Sequence, residues 1–332
     1  MSSTILPQQN DIKIFAGSSG THFARNMCEY LGIPLGASEV FTFSDGNLFV
    51  KIGENVRSKE VFLVQPIALN PNIEFTELLF WMDAFERSSA SSVTAIIPYF
   101  GYAKGDKKDE PRVSIRARVC AECIELAGAD RIMMMDLHTP QIQGFFKRPV
   151  DHLYALQILV EYVKAIEFRD FVVVSPDSGF TKNARKFANC LGAPVAIADK
   201  MRAAHDEQAE ALEVIGDVEG KNALIVDDFS ISGGTLVSLA RLLKQRGAQR
   251  IIVGLSHILM REEAVRKIEE SDIELLISTD SVDNPYVKAS SKIRIISAAP
   301  LFAEAVARIS RKDSISQLFD DVPSNVFRAA FL

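Results

Sequence analysis

The stretch Lys221-Asn-Ala-Leu-Ile-Val-Asp-Asp-Phe-Ser-Ile-Ser-Gly-Gly-Thr-Leu236 decides the fold. Ala223 to Val226 is a continuous apolar run bounded by polar residues, which suits a strand buried on both faces of a parallel sheet. Asp227 and Asp228 are therefore expected to emerge at its carboxyl end. Leu236, Leu239, Leu242 and Leu243 then recur at helical spacing until Gly247 stops them. The order is strand, loop, helix.

Ser232, Gly233, Gly234 and Thr235 fall at the start of that helix, where unpaired backbone N–H groups and the positive end of the helix dipole suit a phosphate monoester. The glycines let the backbone approach the phosphate oxygens, and Ser232 and Thr235 add hydroxyls. Asp227 and Asp228 stand close by, and paired carboxylates can accept hydrogen bonds from vicinal sugar hydroxyls. The corner therefore reads as a ribose 5-phosphate site, with a nucleotide-binding turn of unspecified kind as the alternative.

The 332 residues suffice for two ordinary domains, and the formal charge of −6 argues against a nucleic-acid binder. An anionic substrate must then be captured by local loops and metal ions instead of a global field. Cys28, Cys120, Cys123 and Cys190 are too few and too scattered for a disulfide framework, so a reducing compartment is expected. Cys120 and Cys123 lie in a helical run with no second pair and read as core residues, not as a zinc or redox site. Residues 1–11 lack a basic segment followed by an apolar one, and no apolar run is long enough to span a bilayer. A cytoplasmic chain without a membrane partner is expected.

Earlier in the chain the same layout occurs twice. Ile12 to Ala16 is a strand leading into Gly17-Ser-Ser-Gly20 and a helix that ends at Leu31-Gly32. Phe171 to Val174 leads into Ser175-Pro-Asp-Ser-Gly179 and a helix that ends at Leu191-Gly192. A shift of 160 positions superposes Thr21 on Thr181, Ala24 on Ala184, Arg25 on Arg185, Leu31 on Leu191, Gly32 on Gly192 and Pro34 on Pro194. This internal repeat implies two α/β halves of like topology, with right-handed crossovers, parallel sheets flanked by helices, and functional groups at the carboxyl ends of the strands. The join is expected between Arg148 and His152, giving domains 1–150 and 151–305 and a C-terminal helix and tail, 306–332.

Phe75, Leu78, Leu79, Met82 and Phe85 form a helical stripe that reads as core. Ile96 to Tyr102 leaves a strand into the charged segment Ala103 to Arg112, which suits either a solvated loop or an anion clasp. Ile132 to His138 is a second apolar strand delivering Asp136 and His138 to its end. A lone histidine is ordinarily a satisfied core residue. Beside an acid at a strand end, and with Asp177 leaving the corresponding strand of the other half, His138 is also a candidate for a shared Mg2+ site, although imidazole is an unusual ligand for a hard cation. Lys200 and Arg202 sit two apart, so in an extended segment both point to one side, as a polyphosphate would require.

These residues together resemble the ribose-phosphate pyrophosphokinases, the phosphoribosyl pyrophosphate synthetases. The resemblance runs from Ile14 to about Phe319. It rests on Phe43-Ser-Asp-Gly46, Pro98-Tyr-Phe-Gly-Tyr-Ala103, Asp136-Leu-His138, Gln141-Ile-Gln-Gly-Phe-Phe146, Ser175-Pro-Asp177, Asp199-Lys200, Gly216-Asp217-Val218, Val226-Asp-Asp228 and Gly233-Gly-Thr235. It implies two tandem phosphoribosyltransferase-like domains, the first on the ATP side and carrying oligomer contacts, the second holding ribose 5-phosphate. It also implies transfer of the β,γ-diphosphoryl group of ATP to the 1-hydroxyl of ribose 5-phosphate, with Mg2+ as cofactor.

By the same resemblance, Asp227, Asp228, Ser232, Gly233, Gly234 and Thr235 would bind ribose 5-phosphate, while Phe43, Asp45, Lys104, Asp106, Lys107 and His138 would bind ATP. His138 and Asp177 would serve the metal, and Lys200 and Arg202 would be the catalytic cations. Phe43 and Asp45 would reach adenine from a neighbouring subunit of a homo-oligomer, commonly a hexamer. Departures from the family's commonest pattern are Asn47 in place of Glu, Lys104-Gly105 in place of Arg-Gln, Ile231 in place of Asp, and Ser232 in place of Thr. They bear on nucleotide and ribose recognition. Ser314-Ile-Ser-Gln-Leu-Phe319 and Glu54-Asn-Val-Arg57 resemble the family's regulatory segments, which respond to phosphate and ADP. The alternatives are a catalytically silent regulatory homologue and a phosphoribosyltransferase that uses a base. A P-loop kinase is disfavoured, since no Gly-x-x-x-x-Gly-Lys-Ser/Thr occurs.

Overall fold

The structure is a computed structural model that describes residues 12–202, 210–319 and 322–331; side chains at 200–202 and 210–212 lie outside that description. In chain order it begins with β1 (Ile12–Ala16), α1 (Thr21–Leu31), β2 (Ser38–Thr42), β3 (Leu48–Ile52), β4 (Glu60–Val64), α2 (Pro71–Arg87) and β5 (Ser92–Ile97). It continues with α3 (Arg116–Leu126), β6 (Arg131–Met135), β7 (Val150–Leu153), α4 (Leu156–Ala165), β8 (Phe171–Ser175), α5 (Thr181–Leu191), β9 (Val195–Arg202) and β10 (Glu210–Ile215). Then come β11 (Asn222–Ser230), α6 (Gly234–Gln245), β12 (Ile251–Ile258), α7 (Glu262–Glu269), β13 (Leu275–Thr279), β14 (Ile293–Ile296), α8 (Ala299–Arg311) and α9 (Ser324–Ala330).

These elements form two compact units. The first comprises the chain up to Ala155, Asp280–Asp283 and the chain from Ser297 onward; the second comprises Leu156–Thr279 and Asn284–Ile296.

The sheet of the first unit has the order β1-β4-β5-β6-β7 with every neighbouring pair parallel. Parallel neighbours need crossovers, and the helices that supply them cover the sheet. Leu78, Trp81, Met82 and Phe85 of α2 and Ala117, Cys120 and Ile124 of α3 join Phe15, Leu63, Ile97 and Met134 in one core. The stripe read from the sequence is thus core, with Trp81 stacked on Phe85 at 5.5 Å. Burial of a side chain of that size contributes about 2–3 kcal/mol. Elsewhere in the unit α1 packs on α8, where Phe23 meets Phe302 edge to face at 5.2 Å. Gly32 closes α1 in the left-handed conformation, as the Leu31-Gly32 signal predicts. Cys120 is buried, and burial pushes its thiol up to about 12, so it is inert core.

The second unit carries a seven-stranded sheet, β10-β9-β8-β11-β12-β13-β14, parallel except for the antiparallel edge pair β9 and β10. Leu236, Leu239 and Leu243 of α6 pack with Val174, Ile225, Val253 and Ile268 in its core. One local expectation is overturned. β11 does not end at Val226 but runs to Ser230, with Asp227 opposite Leu255 and Phe229 opposite His257 of β12. On its other side, pairing with β8 stops at Ile225 opposite Val174. The two acids therefore sit on strand backbone that is held from one side only. Among the described residues no helix is long and apolar enough to cross a membrane.

Candidate active site

Three strands of the second unit deliver site residues to the same edge of their sheet. Ile225 of β11, Val174 of β8 and Ala196 of β9 lie in one row. Counting onward from that row, Asp227 is two residues beyond, Asp228 and Asp177 three, Lys200 four and Arg202 six. The backbone of Lys200 pairs with Leu212 and that of Arg202 with Glu210 on β10. The side chains of both cations lie outside the described residues.

Asp227 is the most perturbed acid of this edge. Its carboxyl is pushed up to about 9, first by burial, then by the charge of Asp228, with a smaller push from Asp177. Two carboxylates this close cannot both ionise cheaply in a poorly solvated place. The Asp228 N–H donates to Asp227 Oδ1 at 2.9 Å, and the Phe229 N–H donates to Asp228 Oδ1 at 2.8 Å. Asp177 accepts the Phe180 N–H at 2.9 Å, and Ser175 donates its hydroxyl to the Asp177 carbonyl at 2.7 Å, which fixes the turn after β8.

Past β11, Gly233 adopts φ 69° and α6 begins at Gly234. A left-handed residue is needed here, and a Cβ would also touch Ile268 and Met260 at 3.5 Å. The first helical bond runs from the Val237 N–H to the Gly233 carbonyl at 3.0 Å, so the N–H groups of Gly234, Thr235 and Leu236 lie ahead of the ladder. Ser232 Oγ is 3.4 Å from the Gly234 nitrogen, and Ser232 and Thr235 are both exposed.

The repeat partner of the Asp177 turn, in the first unit, is closed to an anion. Glu77 is fully buried and takes the Ser18 N–H at 2.7 Å as well as the Ser18 hydroxyl. Gln65 takes the Ser19 hydroxyl at 2.9 Å. Nothing in the α2 sequence pattern marks Glu77 as a buried acceptor.

The remaining candidates of the first unit form two groups. Phe43 and Asp45 sit in the turn of the β2–β3 hairpin, far along the chain from the second group but within the same unit. Phe41, Phe43 and Phe49 cluster there with ring centroids 4.7–5.9 Å apart, and Phe43 is 49% exposed. Lys104 lies in a single 3₁₀ turn, Ala103–Gly105, and is exposed. Asp106 accepts the Thr139 hydroxyl at 2.6 Å, which ties the charged segment to the residue after the exposed His138. Lys107 is exposed and pairs with Asp109 at 3.7 Å. His138 and Asp177 belong to different units, and among the described residues no three His, Cys, Asp or Glu side chains converge on one point.

Two family models match the chain: the N-terminal domain of ribose phosphate pyrophosphokinase over residues 12–128 and the phosphoribosyl synthetase-associated domain over residues 193–320. The ribose-phosphate pyrophosphokinase of Caldanaerobacter subterraneus is 45% identical over 311 residues, covering 93% of this chain and 98% of the relative. The chain belongs to the ribose-phosphate pyrophosphokinase family. The ribose-phosphate pyrophosphokinase of Clostridium tetani is 41% identical over 319 residues, covering 95% and 99%. The phosphoribosylpyrophosphate synthetase structure from Mycobacterium smegmatis matches with a TM-score of 0.86 and 34% identity, covering 91% of this chain and all of that one. The resemblance read from the motifs, the two-domain α/β class and the enzymatic, ATP-using nature of the chain stand on these matches.

Within a ribose-phosphate pyrophosphokinase, the departures acquire local causes. Asn47 donates from its backbone to Asp45 Oδ1 at 3.0 Å and from its amide to Oδ2 at 2.8 Å, and these bonds hold the Asp45 carboxyl below its ordinary value. A glutamate at 47 would remove the amide bond and set two anions side by side. Gly105 is buried where a Cβ would meet Arg116 Cβ at 2.9 Å, so a glutamine there would have to displace Arg116. Ile231 is 50% exposed at the end of the acidic strand and makes no polar substitute for an aspartate.

Proposed function

We propose that this ribose-phosphate pyrophosphokinase performs its diphosphoryl transfer at the carboxyl edge of the second unit's sheet, with the sugar phosphate on the Gly233–Gly234 turn. The 5-phosphate lies on the N–H groups of Gly234 and Thr235 and the hydroxyls of Ser232 and Thr235, at the positive end of a twelve-residue helix. Asp227 and Asp228 receive the ribose hydroxyls. Phe43 packs against adenine from a neighbouring subunit and Asp45 accepts from it, while Lys104, Asp106, Lys107 and His138 meet the rest of ATP.

Mg2+ is the proposed cofactor, and the donor set suits it. Asp177 offers carboxylate oxygen, the ligand type that a hard cation takes. With one or two carboxylates available, water and substrate phosphates would complete the shell, as is usual for Mg2+. Its bound charge would neutralise the triphosphate. His138 and Asp177 are the proposed protein positions at the metal.

The 1-hydroxyl oxygen attacks the β-phosphorus in line and gives up its proton to solvent, the bond to the oxygen bridging to the α-phosphorus breaks, and AMP leaves without a covalent enzyme intermediate. The protein's work is positioning and charge. Lys200 and Arg202 of β9 are the cations proposed to meet the negative charge of the moving group. At ~4 Å and an effective dielectric of ~20 such a contact is worth roughly 4 kcal/mol before desolvation.

The observation that carries this reading is the shared edge: Asp177, Asp227, Asp228 and the Lys200 backbone all lie two to four residues past one row of the sheet. Lys200→Ala tests it. AMP release is expected to fall by a factor of about a hundred or more while ribose 5-phosphate still binds; full activity would remove Lys200 from the chemistry. The exposed aromatic hairpin supports a homo-oligomer, which light scattering on the full chain tests: a monomer with wild-type activity would contradict the shared adenine site.

A further inference from the structure

His152 lies on β7 and is only 4% exposed. Its Nε2 is 2.9 Å from the backbone nitrogen of Leu137. A backbone N–H can only donate, so Nε2 is the acceptor, and in a neutral ring the proton is then on Nδ1. Two groups lie 3.2 Å from Nδ1, the Gln143 amide nitrogen and the Tyr154 hydroxyl. The Gln143 nitrogen also donates to the Pro140 carbonyl at 2.9 Å, which marks that end of the amide as a donor. Tyr154 Oη is therefore left to accept from Nδ1–H, with its ring 4.5 Å from the imidazole. An imidazolium could not serve, because both ring nitrogens would donate and one would face the Leu137 N–H.

Leu137 stands between Asp136 and His138, in a turn with an unusual backbone. Asp136 has φ 39°, left-handed for a residue with a side chain. Such a residue persists where its surroundings over-determine it. The segment just past β6 is held by three groups of the β7 stretch: the Leu153 carbonyl takes the Asp136 N–H at 3.1 Å, the Ala155 N–H donates to Asp136 Oδ2 at 2.9 Å, and His152 takes the Leu137 N–H. His138, the next residue, is exposed.

We infer that His152 is a positioning residue for His138: its neutral imidazole fixes the Leu137 peptide and so aims the His138 side chain toward ATP and its metal. This rests on the role proposed above for His138. Tyr154, as the acceptor for Nδ1–H, in turn holds that tautomer of His152. Groups that orient a ligand in this way ordinarily change metal affinity or activity about 10–100-fold when removed.

The test compares full-length His152→Leu, His152→Gln and His138→Ala. In His152→Leu, KM for ATP is expected to rise about tenfold with KM for ribose 5-phosphate within about twofold. Exchange of the Leu137 amide is expected to be about tenfold faster. His152→Gln, whose side-chain oxygen reaches the Nε2 position, restores both. In the wild-type chain, nitrogen NMR of labelled histidine is expected to show His152 with Nδ1 protonated and Nε2 bare, a readout that needs no variant to fold. A protonated Nε2, unchanged Leu137 exchange in His152→Leu, or equal rises in both KM values overturns the inference. A raised ATP KM in His138→Ala together with a wild-type His152→Leu overturns the inference alone; an unchanged ATP KM in His138→Ala overturns the reading of His138 and the inference with it.

Discussion

The Asp228 backbone N–H donates to Asp227 Oδ1 at 2.9 Å and ties together two successive acids of β11, while the burial of Asp227 pushes its carboxyl up to about 9. In the unfolded chain this group titrates near 4. Between those values the folded chain holds a proton that the unfolded chain has lost, so this site's contribution to stability is fully present below about pH 4 and is lost as pH rises toward 9. Without divalent cation, urea unfolding is expected to show a falling midpoint from pH 5 to pH 8.5, and Asp227→Asn to flatten that dependence and gain on the order of 2 kcal/mol at pH 8. A wild-type midpoint that rises with pH across that window, followed by an Asp227→Asn midpoint that does the same, would contradict the shift.

Thr139 holds Asp106 at 2.6 Å and thereby anchors the charged segment beside His138. A hydrogen bond to a charged group contributes about 1.5–3 kcal/mol. In Thr139→Val the KM for ATP is expected to rise about tenfold, with ribose 5-phosphate binding unchanged. Steady-state kinetics with each substrate varied in turn checks this; a matching rise for the sugar phosphate would mean general unfolding instead.

Gly233 is strained for any other residue, at φ 69° with Ile268 and Met260 beyond it. Gly233→Ala is expected to cost about 1–2 kcal/mol of stability and to weaken ribose 5-phosphate, measured by calorimetric titration, before it touches ATP. Equal affinity in the variant would show that the phosphate does not use this turn.

Gly105 occupies a place where Arg116 leaves no room for a side chain. Restoring the family's commoner glutamine by Gly105→Gln is expected to lower stability by about 1–3 kcal/mol. Thermal unfolding reads this directly, and a variant as stable as the parent would show that Arg116 yields freely.

Much of the second unit was legible because buried parallel strands and helix stripes follow composition closely. Ala223–Val226 read as strand and Leu236, Leu239, Leu242 and Leu243 as the apolar stripe of a helix, and all occupy those places, with Leu242 half-buried. The overrun of β11 to Ser230 was not legible. Acids are poor strand formers, and their strand state here depends on one-sided pairing with β12, a contact distant in sequence. The β2–β3 hairpin escaped for the opposite reason: its residues are exposed or half-buried throughout, so no clean apolar alternation marks it. His152 escaped because only the fold brings its Nε2 to the Leu137 amide, and Glu77 because a buried acid on a helix looks like a solvated one until its serine partner is placed. The candidate roles of Lys200 and Arg202 rest on the motif and on the backbone of β9 alone.

Product analysis on the purified full chain bears on the central claim most directly. ATP labelled at the α-phosphate is incubated with Mg2+, with and without ribose 5-phosphate, and the nucleotide products are separated. The expected result is AMP formed in equal amount to phosphoribosyl pyrophosphate, only when both sugar phosphate and Mg2+ are present. Release of ADP, or of AMP without the sugar phosphate, would contradict it.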